Sequence, residues 1–282
     1  MAPQDRNKPI RLNDKILWQN LGDSDLLQMA EYAEQMEKFD DMRQAMRHFV
    51  ERRKWVNSEE RNLLVDAYKT LATQLRGQWR VAVSLYHTQN SNTDSLAEFS
   101  HNADGKKITV KEQERLFELR RKESRLMVAQ ISKEMRELCE EIMALITDYL
   151  LPSTPDNKAE DRVYWLKIRA DYYRYMAETM EGEGRKMQAE KTETAYQEAY
   201  KKAISLTAYN PVRLGLLLNM AVFHFEIYGN QTRAVKIARD AYDKCVSNMG
   251  KVPDDQLKDV KLIQDLLRDN LMLWCYTEDT DI

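Results

Sequence analysis

The segment NPVRLGLLLNMAVFHFEI, residues 210–227, carries the signals that decide the fold. Asn210 is of a type that caps helix N-termini, and Pro211 then fits the first helical position, where its missing N–H has no cost. Apolar residues follow at three- and four-residue spacing. The pattern predicts a helix that begins after Asn210 and ends near Gly229.

The same kind of signal recurs on both sides of this segment. The predicted helices begin at Asp23 and then cover about residues 40–55, 57–86, 109–151, 157–181, 185–207, 210–229, 230–250 and 254–274. Their connections are mostly two to six residues long, and no strand pattern competes with them. We therefore predict an all-α fold, a bundle of nine antiparallel helices.

The composition agrees with long helices. The 282 residues include 8 glycines and 6 prolines. This combined content is well under the roughly 12% of average proteins. An all-β fold or a Gly-rich nucleotide-binding fold needs more of these turn-forming residues. Charges nearly cancel, 43 basic against 46 acidic, so no global field favours nucleic acid. No apolar run is long enough for membrane insertion.

Three further features bear on location and organisation. The three cysteines lie far apart and are interpreted as free thiols in a reducing compartment, the cytoplasm or also the nucleus. Residues 1–22 are predicted to be a polar N-terminal extension, 23–276 a single helical domain, and 277–282 a short acidic tail. Within the domain, residues 87–107 are polar and without periodicity, which predicts a mobile loop.

Motifs of catalysis are absent from the sequence. It contains no Gly-rich phosphate loop and no HExxH, and its four histidines are scattered singly. We therefore expect no catalytic residues, no metal site and no cofactor.

Two helices carry cationic stripes. Lys69, Arg76 and Arg80 lie within about 40° of one another on a helix, and Lys167, Asp171 and Arg174 repeat the arrangement, followed by Tyr175. Such residues are usually a solvated face. The aromatic residues around Arg174 instead favour a partly buried charge that needs an anionic partner.

Two apolar stripes each carry an asparagine: Leu218, Asn219, Val222 and Glu226 in one helix, and Leu262, Ile263, Leu266, Asn270 and Trp274 in the last. Each is either a core stripe or the wall of a groove. In a groove, the asparagine side chain can bond the backbone of an extended peptide.

Four segments of the sequence resemble those of a known protein family. RNLLVDAYKTLATQLRGQWRV (61–81), DYYRYMAE (171–178), NPVRLGLLLNMAVFHFEI (210–227) and LIQDLLRDNLMLW (262–274) resemble signatures of the 14-3-3 family, in order, over roughly residues 23–276. The resemblance implies nine antiparallel helices that form a concave groove, dimerisation through the N-terminal helices, and no catalytic activity. It also implies an adaptor that binds phosphoserine or phosphothreonine in partner proteins.

The resemblance assigns roles residue by residue. The phosphate would be held by Lys69, Arg76, Arg174 and Tyr175, with Asp171 and Arg80 orienting that site. The peptide groove would be formed by Lys167, Leu218, Asn219, Val222, Glu226, Leu262, Ile263, Leu266, Asn270 and Trp274. The dimer interface would contain Asp25, Tyr32, Ala33, Met36, Lys38, Asp41, Gln78, Ala82, Leu85, Met127 and Glu134.

The sequence also departs from the family pattern. Asp66 stands where the family usually has a groove-facing valine, three residues before Lys69, and is positioned to compete with the phosphate or alter preference. On the dimer face, the resemblance implies that Lys38 and Glu134 would retain one cross-dimer ion pair, whereas Asp41 would face Gln130. We expect a homodimer or a heterodimer with another family member.

Two other functions remain open from the sequence. A helical-repeat scaffold would bind unphosphorylated peptides or carboxylate tails, although no 34-residue period is present. A divergent family member would act mainly as a heterodimerisation subunit.

Overall fold

The structure, a computed structural model, describes residues 18, 20–91 and 109–276, and the regular secondary structure in these ranges is helical throughout. The all-α prediction is confirmed. The nine helices of the described ranges are α1 (Asp23–Gln35), α2 (Phe39–Arg53), α3 (Ser58–Ser91), α4 (Val110–Leu145), α5 (Ala159–Glu178), α6 (Gly182–Ala203), α7 (Pro211–Glu226), α8 (Gln231–Ser247) and α9 (Leu257–Tyr276). A π-helical turn, Ile146–Leu150, and a last turn, Leu151–Ser153, extend α4.

The chain divides into two compact units. The first consists of Met1–Thr73 with Ala144–Ser153, and its core is made of apolar side chains from α1, α2, α3 and the end of α4, among them Leu26, Met46, Phe49, Leu64 and Ile146. The second consists of Gln74–Met143 with Thr154–Ile282. In this unit α5 packs on α6, α7 packs on α8, and both α7 and α8 pack on α9.

Side-chain caps fix several helix starts. Asn57 and Glu60 form a reciprocal capping box before α3. The backbone nitrogen of Asn57 donates to Glu60 Oε2 at 2.7 Å, and the backbone nitrogen of Glu60 donates to Asn57 Oδ1 at 2.9 Å. The Asn210 side chain accepts from the N–H groups of Val212 and Arg213 at 3.0 and 3.1 Å, as its position before Pro211 predicts. Asp23, which we expected to cap α1, is instead its first helical residue: Gly22 is the N-cap, and the Asp25 carboxylate accepts the N–H of Gly22.

Other boundaries also differ from the prediction. Helix α3 continues to Ser91, so residues 87–91 of the predicted loop are helical, while 92–107 lie outside the described residues. Most of the predicted extension and the tail 277–282 lie outside them too. Pro152 does not end α4 but lies in its last turn, because the preceding turn is wider: the N–H of Leu151 bonds the carbonyl of Ile146, five residues back.

The turn between α5 and α6 uses a glycine where only glycine fits easily. Gly182 has φ of +58°, a left-handed conformation that costs other residues energy. Both helices can therefore pack along each other directly. No helix among the described residues is long and apolar enough to cross a membrane.

We predict that Asn210→Ala lowers the free energy of unfolding by about 1–2 kcal/mol, because two backbone N–H groups lose a buried acceptor. Asn230 caps α8 with a single bond at an exposed position, so Asn230→Ala is the matched control and should have the smaller effect. Urea unfolding followed by circular dichroism measures both. Equal losses of unfolding free energy in the two variants would contradict the larger contribution of the buried cap.

Candidate functional site

Helix α5 presents a row of polar side chains to a largely buried region. Asp171, Arg174, Tyr175 and Glu178 share one face, since their spacing places them within about 100° around the helix. Asp171 and Arg174 are only 4% and 5% exposed, because α6 and α7 cover this part of α5. Charges at this depth require partners.

Two arginines share one carboxylate. Arg76 of α3 donates from Nε and Nη2 to Glu178 at 2.5 and 3.1 Å, and Arg174 donates from Nη1 to the same carboxylate at 2.7 Å. The side chain of Glu178 is itself mostly buried. One negative charge thus holds two guanidinium groups in fixed positions, and one positive charge is left over.

Tyr175 lies against both guanidiniums. Its ring centroid is 4.6 Å from the Cζ of Arg76 and 4.7 Å from the Cζ of Arg174, which places each cation over the ring. Burial raises the pKa of Tyr175, although both arginines act to lower it. The phenol therefore keeps its proton at neutral pH and remains a hydrogen-bond donor.

Asp171 is the centre of a second network. It accepts from Lys167 Nζ at 2.8 Å, from the Tyr196 hydroxyl at 2.7 Å and from Asn219 Nδ2 at 2.8 Å. Burial acts to lower the pKa of Lys167, but the charge and hydrogen bond of Asp171 help to raise it overall, so the ammonium stays charged.

Asp171 acts on Arg174 through another residue. The Tyr196 hydroxyl, which donates to Asp171, accepts from Arg174 Nε at 3.2 Å. The pKa of Tyr196 is raised well above its ordinary value, first by burial and then by Asp171. The tyrosine therefore stays neutral and relays the position of Asp171 to the guanidinium. The orienting role that the resemblance implies for Asp171 would therefore act on Arg174 through one intervening hydroxyl.

A cleft of about 170 Å³ opens beside the paired arginines. Arg76, Arg80, Glu178 and Glu226 line it, together with Arg185. The structure therefore brings Arg80 and Glu226 into the neighbourhood of Arg76. Three cations against two carboxylates leave this cleft able to attract an anion.

Lys69 and Asp66 belong to the first unit. Both are exposed on α3, and Lys69 precedes Arg76 by seven residues on the same helix. Within the part of the chain that the structure describes, no ion pair joins Asp66 to Lys69. The Lys69 ammonium is therefore not neutralised by this neighbour.

The residues assigned to the peptide groove differ in exposure. Leu262 and Leu266 of α9 are 61% and 44% exposed, as a groove wall requires. Leu218, Val222 and Ile263 are partly buried against the α7–α8–α9 core, and Asn270 is partly exposed. Trp274 is 3% exposed and stacks on Phe225 at 4.9 Å between centroids, so it belongs to the core.

The residues assigned to the dimer interface lie in both units. In the first, Tyr32 and Met36 are exposed, Ala33 is buried, Lys38 is exposed, Asp41 is partly exposed, and the Asp25 carboxylate is used at the N-terminus of α1. In the second, Leu85, Met127 and Gln78 are exposed, Ala82 is buried, and the exposed Glu134 accepts from Gln130 at 2.7 Å.

Two residues of the site, Glu178 and Tyr196, were not predicted from the sequence. Glu178 lies four residues after Arg174 on α5, and that spacing is typical of a helical ion pair, so a signal for it existed. Tyr196 lies on a different helix, and its contact with Asp171 follows only from how α5 and α6 pack. Among residues 20–91 and 109–276, no cluster of His, Cys, Asp and Glu could hold a metal ion.

The described residues thus define an all-helical protein with a buried cluster of arginine, lysine, tyrosine and carboxylate side chains whose net charge is positive. Comparison with known proteins defines it further. The family model described as 14-3-3 protein matches residues 29–275. The chain belongs to the 14-3-3 family, whose members are adaptor or regulatory proteins without catalytic activity.

Individual relatives cover nearly the whole chain. The 14-3-3 protein beta/alpha-1 of Oncorhynchus mykiss is 36% identical over 254 residues, which cover 89% of this chain and 92% of that protein. The 14-3-3 protein homolog 1 of Schistosoma mansoni is 35% identical over 256 residues, 90% of each. The 14-3-3-like protein 2 of Caenorhabditis elegans is 35% identical over 264 residues, 92% of this chain and 96% of that protein.

We predict that Glu178→Gln lowers the free energy of unfolding by about 3 kcal/mol, because two largely buried guanidiniums lose their shared negative charge. Added inorganic phosphate should recover more stability in this variant than in the parent protein, since the anion replaces the lost charge. Thermal unfolding with and without phosphate measures both effects.

Glu198→Gln is the control for this variant. Glu198 pairs with Arg169 of α5 at 2.6 Å, but its side chain is 53% exposed, so its loss should cost about 0.5 kcal/mol or less. Losses of similar size in the two variants would contradict the special role of Glu178.

Proposed function

We propose that this chain is an adaptor that binds phosphoserine- or phosphothreonine-containing segments of partner proteins. The observation that carries the proposal is the pair of guanidiniums of Arg76 and Arg174, which share one buried carboxylate and both lie against the ring of Tyr175. The protein acts in the cytoplasm or also in the nucleus, and residues 23–276 form its binding domain between an N-terminal extension and an acidic tail.

The free donors of this pair suit a phosphate. A guanidinium has five N–H donors, and the hydrogen bonds within the site use two from each arginine. A phosphate group carries about −1.5 to −2 charges and three acceptor oxygens. The remaining donors and the Tyr175 hydroxyl can therefore form several charge-assisted bonds. Because the arginines are already fixed, little side-chain entropy is lost on binding.

Selectivity for the phosphorylated segment follows from the charge balance. Arg76 and Arg174 together carry one positive charge more than Glu178 neutralises, and a serine hydroxyl offers no charge in return. Each charge-assisted hydrogen bond contributes about 1.5–3 kcal/mol. The resemblance adds Lys69 to the phosphate ligands, and its ammonium forms no ion pair with any residue that the structure describes.

The flanking peptide would bind along α7 and α9. Asn219 donates one N–H to Asp171, which fixes the amide and leaves its carbonyl oxygen as an acceptor. The exposed Leu262 and Leu266 supply apolar surface for the peptide side chains. Lys167 is held by Asp171 beside α7, where its remaining N–H donors can bond the peptide. Asn270 would bond the peptide backbone further along.

Arg174→Ala should weaken binding of a labelled RSxpSxP-type phosphopeptide at least about a hundredfold, because at least two charge-assisted bonds are lost. Arg169→Ala on the same helix is the matched control, since Arg169 pairs with Glu198 and not with the cluster. Fluorescence anisotropy of folded variants measures both. Equal binding by Arg174→Ala and the parent protein would contradict the proposed site, and equal binding of the unphosphorylated peptide would favour the tail-binding scaffold.

Asp66→Val should leave phosphopeptide affinity unchanged or increase it, because the substitution removes a negative charge three residues from Lys69 on an exposed helix face. Isothermal titration calorimetry with the same peptide measures the change. A clear loss of affinity would mean that the Asp66 carboxylate itself contacts the ligand.

We further propose that the chain dimerises through its N-terminal helices. Tyr32 and Met36 expose large apolar side chains on α1, as do Leu85 and Met127 elsewhere, and such exposure is typical of an interface. Sedimentation velocity at micromolar concentration should give a dimer. A monomer would contradict homodimerisation, and dimer formation only after adding a second family member would establish the heterodimer subunit.

A further inference from the structure

The second unit contains a larger cavity that is separate from the arginine cluster. It has a volume of about 610 Å³ and lies between α6, α7 and α8. Leu217 and Met220 of α7 and Ile237 and Ala241 of α8 line it with apolar surface. None of the proposed phosphate or groove residues contributes to its lining.

The charged residues of this cavity are mostly positive. Arg213, Arg233, Lys236 and Lys244 line it together with one acid, Asp240. Arg233 is partly neutralised by Glu193 at 3.3 Å. Within the described ranges Lys236 and Lys244 form no ion pair, so their charges remain available to a ligand.

Two further features favour an anion here. The N-terminal turn of α8, with Asn230, Thr232 and Arg233, forms part of the wall, and the positive end of that helix dipole adds to the field. Arg213 donates from Nη1 to the carbonyl of Leu206 at 2.6 Å, which holds its guanidinium in the wall of the cavity. A guanidinium held in this way can offer its remaining outward N–H groups to an anion with little loss of side-chain entropy.

We propose that this cavity binds a small amphipathic anion, a molecule with an apolar body and one carboxylate or phosphate head. Its volume lies within the roughly 300–1,000 Å³ typical of small-molecule sites. The apolar side chains would contact the body, and Lys236, Lys244 and Arg213 would contact the head. This site is distinct from the phosphopeptide site, and the proposal does not depend on phosphopeptide binding.

The test uses 8-anilinonaphthalene-1-sulfonate, an aromatic anion that fluoresces in apolar surroundings, on the full chain with saturating phosphopeptide. The probe should bind, and octanoate or octyl phosphate should displace it. The more effective of the two identifies a carboxylate or a phosphate head. Displacement by inorganic phosphate alone, or by octanol as readily as by the anions, would overturn the proposal, because the site would then recognise only a head or only a body.

Variants locate the probe. Lys236→Gln combined with Lys244→Gln should weaken probe binding at least about fivefold, as expected for two partly solvated charges. Lys191→Gln combined with Lys201→Gln changes the net charge equally at exposed α6 positions outside the cavity and should have no effect. Ala208→Phe, which fills the cavity and removes no charge, should also weaken binding. Equal effects of both lysine pairs, or competition between probe and phosphopeptide, would overturn the assignment.

Discussion

The site depends on one carboxylate that serves two arginines. Glu178 accepts from Arg76 on α3 and from Arg174 on α5, and it is mostly buried. A solvent-exposed arginine–carboxylate ion pair contributes little to the free energy of unfolding. At this depth each guanidinium needs a negative partner, because an unpaired buried charge is strongly destabilising. The same bonds fix the position of both cations and leave a net positive charge. The carboxylate that stabilises the buried arginines therefore also sets the net charge that the proposed ligand would meet.

Helix α5 can carry these groups because neighbouring helices complete its polar network. Tyr196 from α6 and Asn219 from α7 both bond Asp171, and Tyr196 also bonds Arg174. The network is satisfied internally before any ligand arrives. The proposed ligand would meet donors that are already oriented, which lowers the entropy lost on binding.

The sequence predicted the fold well where the signals are local. The capping residue Asn210 marks a helix start that the structure confirms, and the helix predicted from residue 57 begins at Ser58 behind the capping box of Asn57 and Glu60. It failed at Ser91 and Pro152, because a polar stretch can continue a helix and a π-helical turn can admit a proline. The contacts of the site were less predictable. The Arg174–Glu178 spacing was visible, whereas Tyr196 and the burial of Trp274 depend on helix packing that no local pattern encodes.

The most direct measurement of the central claim is an NMR titration of the arginine Nε–Hε signals in the full chain. We predict that an RSxpSxP-type phosphopeptide shifts the signals of Arg76 and Arg174, that Arg169 does not respond, and that the unphosphorylated peptide shifts none of them. Unchanged signals of Arg76 and Arg174 at saturating phosphopeptide, or equal shifts with the unphosphorylated peptide, would contradict the account.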